Sequence, residues 1–426
     1  IKVGVVHLSD PAEGSGYTYT HELGIQGMQK NLGLSDEQIV RKNNVDDTDA
    51  LATQKAIQEC IDEGCNIIFG TSWGYMDVME QMAEEYPDIY FCHGTGYKSN
   101  GKNFTNYFGR IYQARYLSGI VAGMNTKTDK IGYVAAQDSS NSEVTGGIDA
   151  FAMGIASVNP DAEVYVKITH SWYAPEAEKA ASLQLLDMGC DVMAQHCDTP
   201  YPQTTAQDAG VYGIGYNSDM RKETPDACLC SVIWNWSAYY TSEVQSIIDG
   251  TYDGKNYYGG MAEGLVDITD LADFCADGTQ EKVDEARAEI LSGKCNVFDG
   301  KIETLTQDEL TVLVTCYSES EINNTQLQYV VPQHRSDITK MLKKLCNEGF
   351  LISAGNGRGT KYHINESEGQ VDSSENNMKS SGTKVGTSEN NIESSGTKVG
   401  TSENNIESSG TKVGTSENNI ESSGTK

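Results

Sequence analysis

The sequence predicts an α/β protein built on parallel sheets in two lobes, and three observations carry that expectation. Short apolar runs recur along the chain: "KVGVVHL", "NIIFG", "DIYFCHG", "KIGYVAA", "AEVYVKIT", "DVMAQHC", "VYGIGY" and "ACLCSVIW". Such runs, without the alternation of a half-exposed strand, fit strands buried on both faces. Between them lie stretches of helical period, among them 46–63, 76–86 and 174–188. The alternation continues to about residue 302, which is more chain than a single sheet holds comfortably, so two α/β lobes are expected.

Composition narrows the function classes. The chain has 426 residues, 38% hydrophobic and 22% charged, enough for a sizeable core. Its formal net charge of -30 argues against non-specific nucleic-acid binding by the whole chain, since phosphates would be repelled. Eleven scattered cysteines without a C-x-x-C pair do not form a disulfide framework. No apolar run is long enough to span a bilayer. The chain opens at Ile1 directly on a strand pattern, as a processed chain or a fragment would, so no targeting signal is legible.

Beyond about Glu303 the character changes. "DELTVLVTCYS", "NTQLQYVV" and "HRSDITKMLKKLCNEGF" read as three helices, and "LISAGNGRGTKYHI" reads as two strands around a Gly-rich turn. The domain boundaries expected are 1–303, 304–366 and 367–426. In the last of these "VGTSENNIESSGTK" recurs at Val385, Val399 and Val413. With almost no large apolar residues, that tail cannot offset the entropy of ordering and is expected to be disordered.

In parallel sheets, ligands bind beyond the carboxyl ends of the strands. The loops there place an aromatic beside a short polar side chain: Tyr17 and Tyr19 after the first strand, Trp73 and Tyr75 after "NIIFG", Asp198 to Tyr201 after "DVMAQHC", Asn217 and Asp219 after "VYGIGY". "SVIWNWSAYY" holds Trp234 and Trp236, two of the four tryptophans in the chain. This mixture suits a flat, hydrogen-bonding ligand better than a phosphate or a metal. The isolated histidines offer no metal-ligand spacing, and no cofactor is implied. One motif competes. "GTSWG" at 70–74 satisfies the G-x-S-x-G elbow of a serine hydrolase, with Ser72 as nucleophile and Asp191 and His196 as partners in chain order.

The strings "GYTYTHELG", "FGTSWGYMDVMEQMAEEYPDIYF", "NYFGRIYQARYLSGIVAGM", "DVMAQHCDTPYPQTTAQDAGVYGIGYNSDM" and "SVIWNWSAYY" are colinear with the basic membrane protein family of ATP-binding-cassette solute-binding lipoproteins, which residues 2–300 resemble. The resemblance implies a type I periplasmic-binding-protein fold. Lobe 1 would span about 1–123 and 241–303, and lobe 2 about 124–240, with chain crossings near Gly123 and Tyr240. It also implies a purine base or nucleoside held between the lobes, a membrane permease as partner, and a cell-surface or periplasmic location on a lipid anchor. Its candidate ligand contacts are Tyr17, Tyr19, Trp73, Tyr75, Tyr107, Arg110, Gln195, Asp198, Asn217, Asp219, Trp234 and Trp236. The two tryptophans are expected to project to one side of a strand and to cost ligand affinity when removed. Asn217 stands where the family usually has Asp, and the first loop lacks the family's nucleoside-receptor string. Both departures favour a free, adenine-like base.

Residues 310–364 resemble the winged-helix module of schlafen/AlbA-type transcriptional regulators, through "RSDITKMLKKLCNEGFLISAGNGRGTKYHI". This implies nucleic acid as a partner, with Arg335, Lys340, Lys343 and Arg358 as its contacts. An exported ligand trap and a DNA-binding module belong in different compartments. The junction at about Glu303 therefore marks either a fusion or a cytoplasmic one-component sensor of purines.

Overall fold

The computed structural model describes residues 1–298 except 139, residues 307–364 except 320, 329, 332, 348, 356, 358 and 359, and residues 385–387. The first α/β unit runs β1 (Val3–Val6), α1 (Gly16–Leu32), β2 (Ile39–Lys42), α2 (Ala50–Asp62), β3 (Ile67–Gly70), α3 (Met76–Glu85), β4 (Tyr90–Gly94) and β5 (Phe104–Gly109). The second runs α4 (Ile111–Asn125), β6 (Lys130–Ala135), α5 (Ser142–Val158), β7 (Glu163–Ile168), α6 (Pro175–Asp187), β8 (Val192–His196), α7 (Tyr201–Asp208), β9 (Tyr212–Asn217) and β10 (Cys228–Trp234). Then come α8 (Trp236–Ile248), β11 (Tyr257–Gly259), β12 (Val266–Ile268) and α9 (Thr279–Leu291).

Two sheets result. The first has the order β11-β5-β4-β3-β1-β2, and every pairing in it is parallel. The second has the order β12-β10-β9-β8-β6-β7-β15, where β15 (Val385–Thr387) lies in the first tail repeat. Its pairings are parallel except β10 with β12. Central strands such as β1, β3 and β8 are buried at every position, as continuous apolar runs covered by helices on both faces must be. Helix starts follow capping chemistry. The Asp49 carboxylate accepts from the Leu51 and Ala52 N–H groups to open α2, and Asn141 accepts from Val144 to open α5.

The chain crosses between the sheets at places other than those expected. Helix α4 packs along α5 and against β10, so the first crossing falls at Gly109–Arg110 and not near Gly123. Helix α8 packs on α1, returning the chain at Asn235. Strand β11 then joins the first sheet, β12 the second, and α9 packs on α4. The segment 241–303 is thus shared between the sheets and does not stay with the first. An apolar pattern records that an element is buried, not which sheet buries it.

Residues 307–364 contain α10 (Gln307–Glu319), α11 (Asn324–Leu327), α12 (Arg335–Asn347) and an antiparallel hairpin of β13 (Leu351–Ala354) and β14 (Lys361–Ile364). Val312, Leu327, Ile338, Leu342, Leu345 and Leu351 form its own apolar core. Apart from 385–387, the repeat tail expected to be disordered lies outside the described residues.

Candidate functional site

The carboxyl ends of the two sheets meet at the first turn of α1. Gly16 has φ of 80°, and a Cβ there would stand 2.6 Å from the Asp198 carbonyl oxygen, so the close approach needs glycine twice over. One turn on, the Thr20 hydroxyl donates to the Asn217 carbonyl at 3.0 Å. Tyr17, half-buried, donates its hydroxyl to the Thr71 carbonyl at the end of β3. A helix of the first unit is thereby seated against the loops after β8 and β9 of the second.

On the second sheet's side of this junction, Asp198 and Asn217 form a pair. The Asn217 amide donates to an Asp198 carboxylate oxygen at 2.8 Å, and its own Oδ1 is buried with no partner among the described residues. Asn217 also sits at φ of 70°, the left-handed region that a non-glycine residue enters at a cost. Burial raises the Asp198 carboxyl to about 7, against the lowering effect of the Asn217 bond and with Glu143 and Glu178 adding repulsion.

Behind the pair, Glu143 at the start of α5 accepts from the Tyr216 hydroxyl at 3.1 Å and lies 3.2 Å from His196 Nε2. Burial, with the Arg115 cation nearby, lowers His196 to about 4, so the imidazole is neutral and its Nε2–H donates to Glu143. Arg115 is fully buried. Its Nη1 donates to the Gln195 carbonyl at 2.6 Å, and its guanidinium lies 4.2 Å from the Tyr216 ring centroid. Glu143 and Arg115 escaped the sequence reading because an acid in a helix's first turn and an arginine in a helix look like surface residues, while His196 figured there as a hydrolase partner.

The two tryptophans do not line an open face. Trp236 begins α8 instead of extending the strand, so the two are not same-side strand residues. Trp236 stacks on Trp234 at 4.6 Å and on His21 at 4.6 Å, with interplanar angles of 11° and 16°. Trp236 thus has both faces covered and is fully buried, while the Trp234 indole N–H donates to Tyr216. The ligand-stacking expectation therefore does not fit Trp236, whose faces are taken by Trp234 and His21, while Trp234 stacks on Trp236 and meets Phe108 at a tilt, 5.1 Å away.

The remaining candidates divide. Tyr75 is buried and donates to the Val45 carbonyl at 2.6 Å, inside the first unit's core. Tyr107 is buried, stacked on Tyr239 at 4.4 Å. Arg110 bridges to Glu263 and to the Tyr258 carbonyl, each at 2.6 Å. Gln195 is buried and holds the turn after β8 through the Cys197 and Thr199 carbonyls. Asp219 caps the short turn Met220–Lys222 and pairs with Arg221. Tyr19 is half-buried on α1, about 200° around the helix from Tyr17, so the two cannot share one wall. Trp73 is different. It is 55% exposed at the end of β3, with its ring centroid 6.0 Å from that of Tyr97, itself 67% exposed after β4.

The hydrolase arrangement is not formed. The Ser72 hydroxyl donates to Asp47 at 2.6 Å. Asp191 and His196 belong to the second sheet's side, where Asp191 receives the Thr126 hydroxyl and the Lys127 and Thr128 N–H groups. Among the described residues no cluster of three or more His, Cys, Asp or Glu is placed to hold a metal, and no helix is long and apolar enough to cross a membrane.

Two parallel α/β units with polar strand ends meeting across a helix N-terminus define a solute-binding architecture. The chain belongs to the family described as ABC transporter substrate-binding protein PnrA-like, matched over residues 1–301. A purine-binding protein of Brucella abortus is 34% identical over 303 residues, spanning 71% of this chain and 84% of that one. A protein of Haloferax volcanii named for glucose binding in an ABC transporter is 35% identical over 265 residues, spanning 62% of this chain and 67% of that one. Among solved structures, a Conexibacter woesei ABC solute-binding protein matches with a TM-score of 0.58 at 18% identity, covering 70% of this chain and 98% of that one. A Bacillus halodurans transcriptional activator of comK matches at 0.61 and 21%, covering 69% and 99%. These likenesses establish the fold, and the family makes the chain the substrate-binding component of an ABC transporter.

Proposed function

We propose that the chain captures a purine, with an adenine-like free base favoured over a nucleoside, outside the cytoplasm on a lipid anchor, and delivers it to a membrane permease. The Asp198–Asn217 pair carries this reading. Asn217 presents an unpaired acceptor, and Asp198, raised to about 7, holds a proton and donates over the lower half of the neutral range. A donor beside an acceptor complements the amino and ring-nitrogen edge of adenine; guanine can offer O6 and N1–H to the same pair, but its 2-amino group adds a donor that the pair leaves without an acceptor. The amide at 217, without a charge for ribose hydroxyls, favours a free base, and the Brucella relative is named for purine binding. Trp73 and Tyr97 supply free aromatic faces at the ends of β3 and β4. The Haloferax relative defines the competing ligand class, since sugars also use acids, amides and indoles. Isothermal titration of the purified chain against adenine, adenosine, guanosine, riboflavin and glucose tests the reading: adenine should bind tightest, and binding of glucose alone would overturn it.

A second reading rests on residues 307–364, whose helices and hairpin fit a winged helix. Arg335, Lys340 and Lys343 are exposed on α12, and Lys340 is paired with Asp337, while Arg358 lies outside the described residues. In that reading a cytoplasmic chain would couple purine capture to DNA. Fluorescence anisotropy with duplex DNA decides it, because a regulator binds with an affinity that Arg335→Ala lowers and purine shifts.

A further inference from the structure

The first unit carries a pair of thiols at the end of the sheet opposite the ligand junction. Helix α2 ends in "CIDEGC", 60–65. Gly64, at φ of 87°, donates its N–H to the Ile61 carbonyl at 2.8 Å, and Cys65 donates its N–H to the Cys60 carbonyl at 3.0 Å. This is a Schellman ending, which brings the side chain three residues before the helix terminus against the one just past the glycine. Helix α6 ends the same way, with Cys190 N–H on the Leu185 carbonyl and Gly189 N–H on Leu186, and α7 repeats it with Val211 on Ala206. In those helices the paired side chains are Leu185 with Cys190 and Ala206 with Val211, ordinary apolar contacts. In α2 both are cysteines.

The two sulfurs are held together by their surroundings as well. A Cβ built on Gly4 of β1 would lie 3.1 Å from Cys60 Sγ and 3.3 Å from Cys65 Sγ, so both thiols converge over that glycine. Both are buried in the same apolar cluster of the first unit, Cys60 at 0% and Cys65 at 2% exposure. The 3.0 Å backbone bond limits the Cα separation to about 7 Å by standard bond lengths. Disulfides bridge roughly 4.4–6.8 Å. Among the described residues neither sulfur belongs to a cluster that could hold a metal.

We propose that Cys60 and Cys65 are a redox modification site, a dithiol that closes to a disulfide by exchange with a small-molecule or protein disulfide. The neighbouring Cys60 thiol, with Lys2 nearby, brings the Cys65 thiol down, whereas the same neighbour and burial push Cys60 up. Cys65 is therefore the attacking thiolate. Its sulfur displaces one thiolate from the reagent and forms a mixed disulfide. Cys60 then gives its proton to water and attacks Cys65 Sγ, releasing the second reagent thiol. One disulfide is consumed, two thiols are released, and the protein loses two hydrogen atoms. Both sulfurs are buried, so reaction proceeds through fraying of the α2 terminus, and the closed bridge pins that terminus to the start of β3.

The test uses the full chain without denaturant, equilibrated in glutathione mixtures from fully reduced to fully oxidised, quenched by alkylation and mapped by peptide mass spectrometry. Expected is a peptide spanning 60–65 that escapes alkylation with the mass of two hydrogens missing, formed without pairing of Cys190, and a melting temperature a few degrees higher than that of the reduced form. Cys65→Ser should leave Cys60 alkylated at every potential and abolish the rise. Alkylation of both Cys60 and Cys65 across the whole series, or capture of Cys60 by any cysteine other than Cys65, overturns the proposal. Purine binding plays no part in the readout, so its outcome stands apart from the ligand assignment.

Discussion

In the proposed purine site, Asp198 is the residue on which ligand choice and pH dependence would meet. Its carboxyl is raised to about 7 in the folded chain and titrates near 3.9 when unfolded. The folded state then holds a proton that the unfolded state has lost, so this group's contribution is complete below about pH 4 and is lost as pH rises to about 7. His196, lowered to about 4, acts in the opposite sense: its contribution is present above about 6.5 and disappears as pH falls toward 4. Asp198→Asn should therefore remove the alkaline-side loss in ligand-free melts between pH 4 and 7 and leave the acid-side loss. Adenine affinity in the parent chain should fall as pH passes 7, when the donor is lost. A melt profile unchanged by the substitution would contradict the assignment. Trp73 tests stacking: Trp73→Ala should weaken purine binding by about 1–3 kcal/mol with little effect on stability, since the ring is largely exposed. Trp236→Ala should do the reverse, lowering stability by about 3–5 kcal/mol as a fully buried ring is lost, read by denaturant unfolding.

Among the elements, α1 and α8 do most to set the junction. A Cβ on Gly24 would come within 2.5 Å of the Trp236 Cβ, so the two helices approach at glycine contact. Gly24→Ala should cost about 1–3 kcal/mol of stability through overpacking, and should disturb ligand closure because α1 carries Tyr17 and Thr20 to the second unit. Much at this scale was legible. The apolar runs became central strands, and the ranges 76–86 and 174–188 became α3 and α6 to within a residue or two. Strand β2, "IVRK", escaped because an edge strand carries charges on its open side. Strands β11 and β12 escaped because three residues show no period. The junction was legible as a set of strand ends, where Tyr17, Asp198 and Asn217 lie. The direction each aromatic faces was not legible. Tyr75 and Tyr107 turned inward, and Trp236 fell on a helix where a strand had been read.

For the molecule as a whole, the chain is a PnrA-like substrate-binding protein of two α/β units, and the proposed ligand is a purine read by the bonded pair Asp198 and Asn217. The acidic surface, with a net charge of -30, sets a condition on partners: any DNA contact by residues 307–364 must work against the field of the rest of the chain. Duplex DNA should therefore bind the full chain more weakly than it binds those residues alone. Calorimetric titration of adenine and guanosine at pH 6 into the parent chain and into Asn217→Asp tests the purine assignment most directly. Adenine should be preferred by the parent, and that preference should fall at least tenfold, by about 1.4 kcal/mol, when the second carboxylate is introduced. Equal affinity of the parent for both, or a preference untouched by Asn217→Asp, would overturn the assignment.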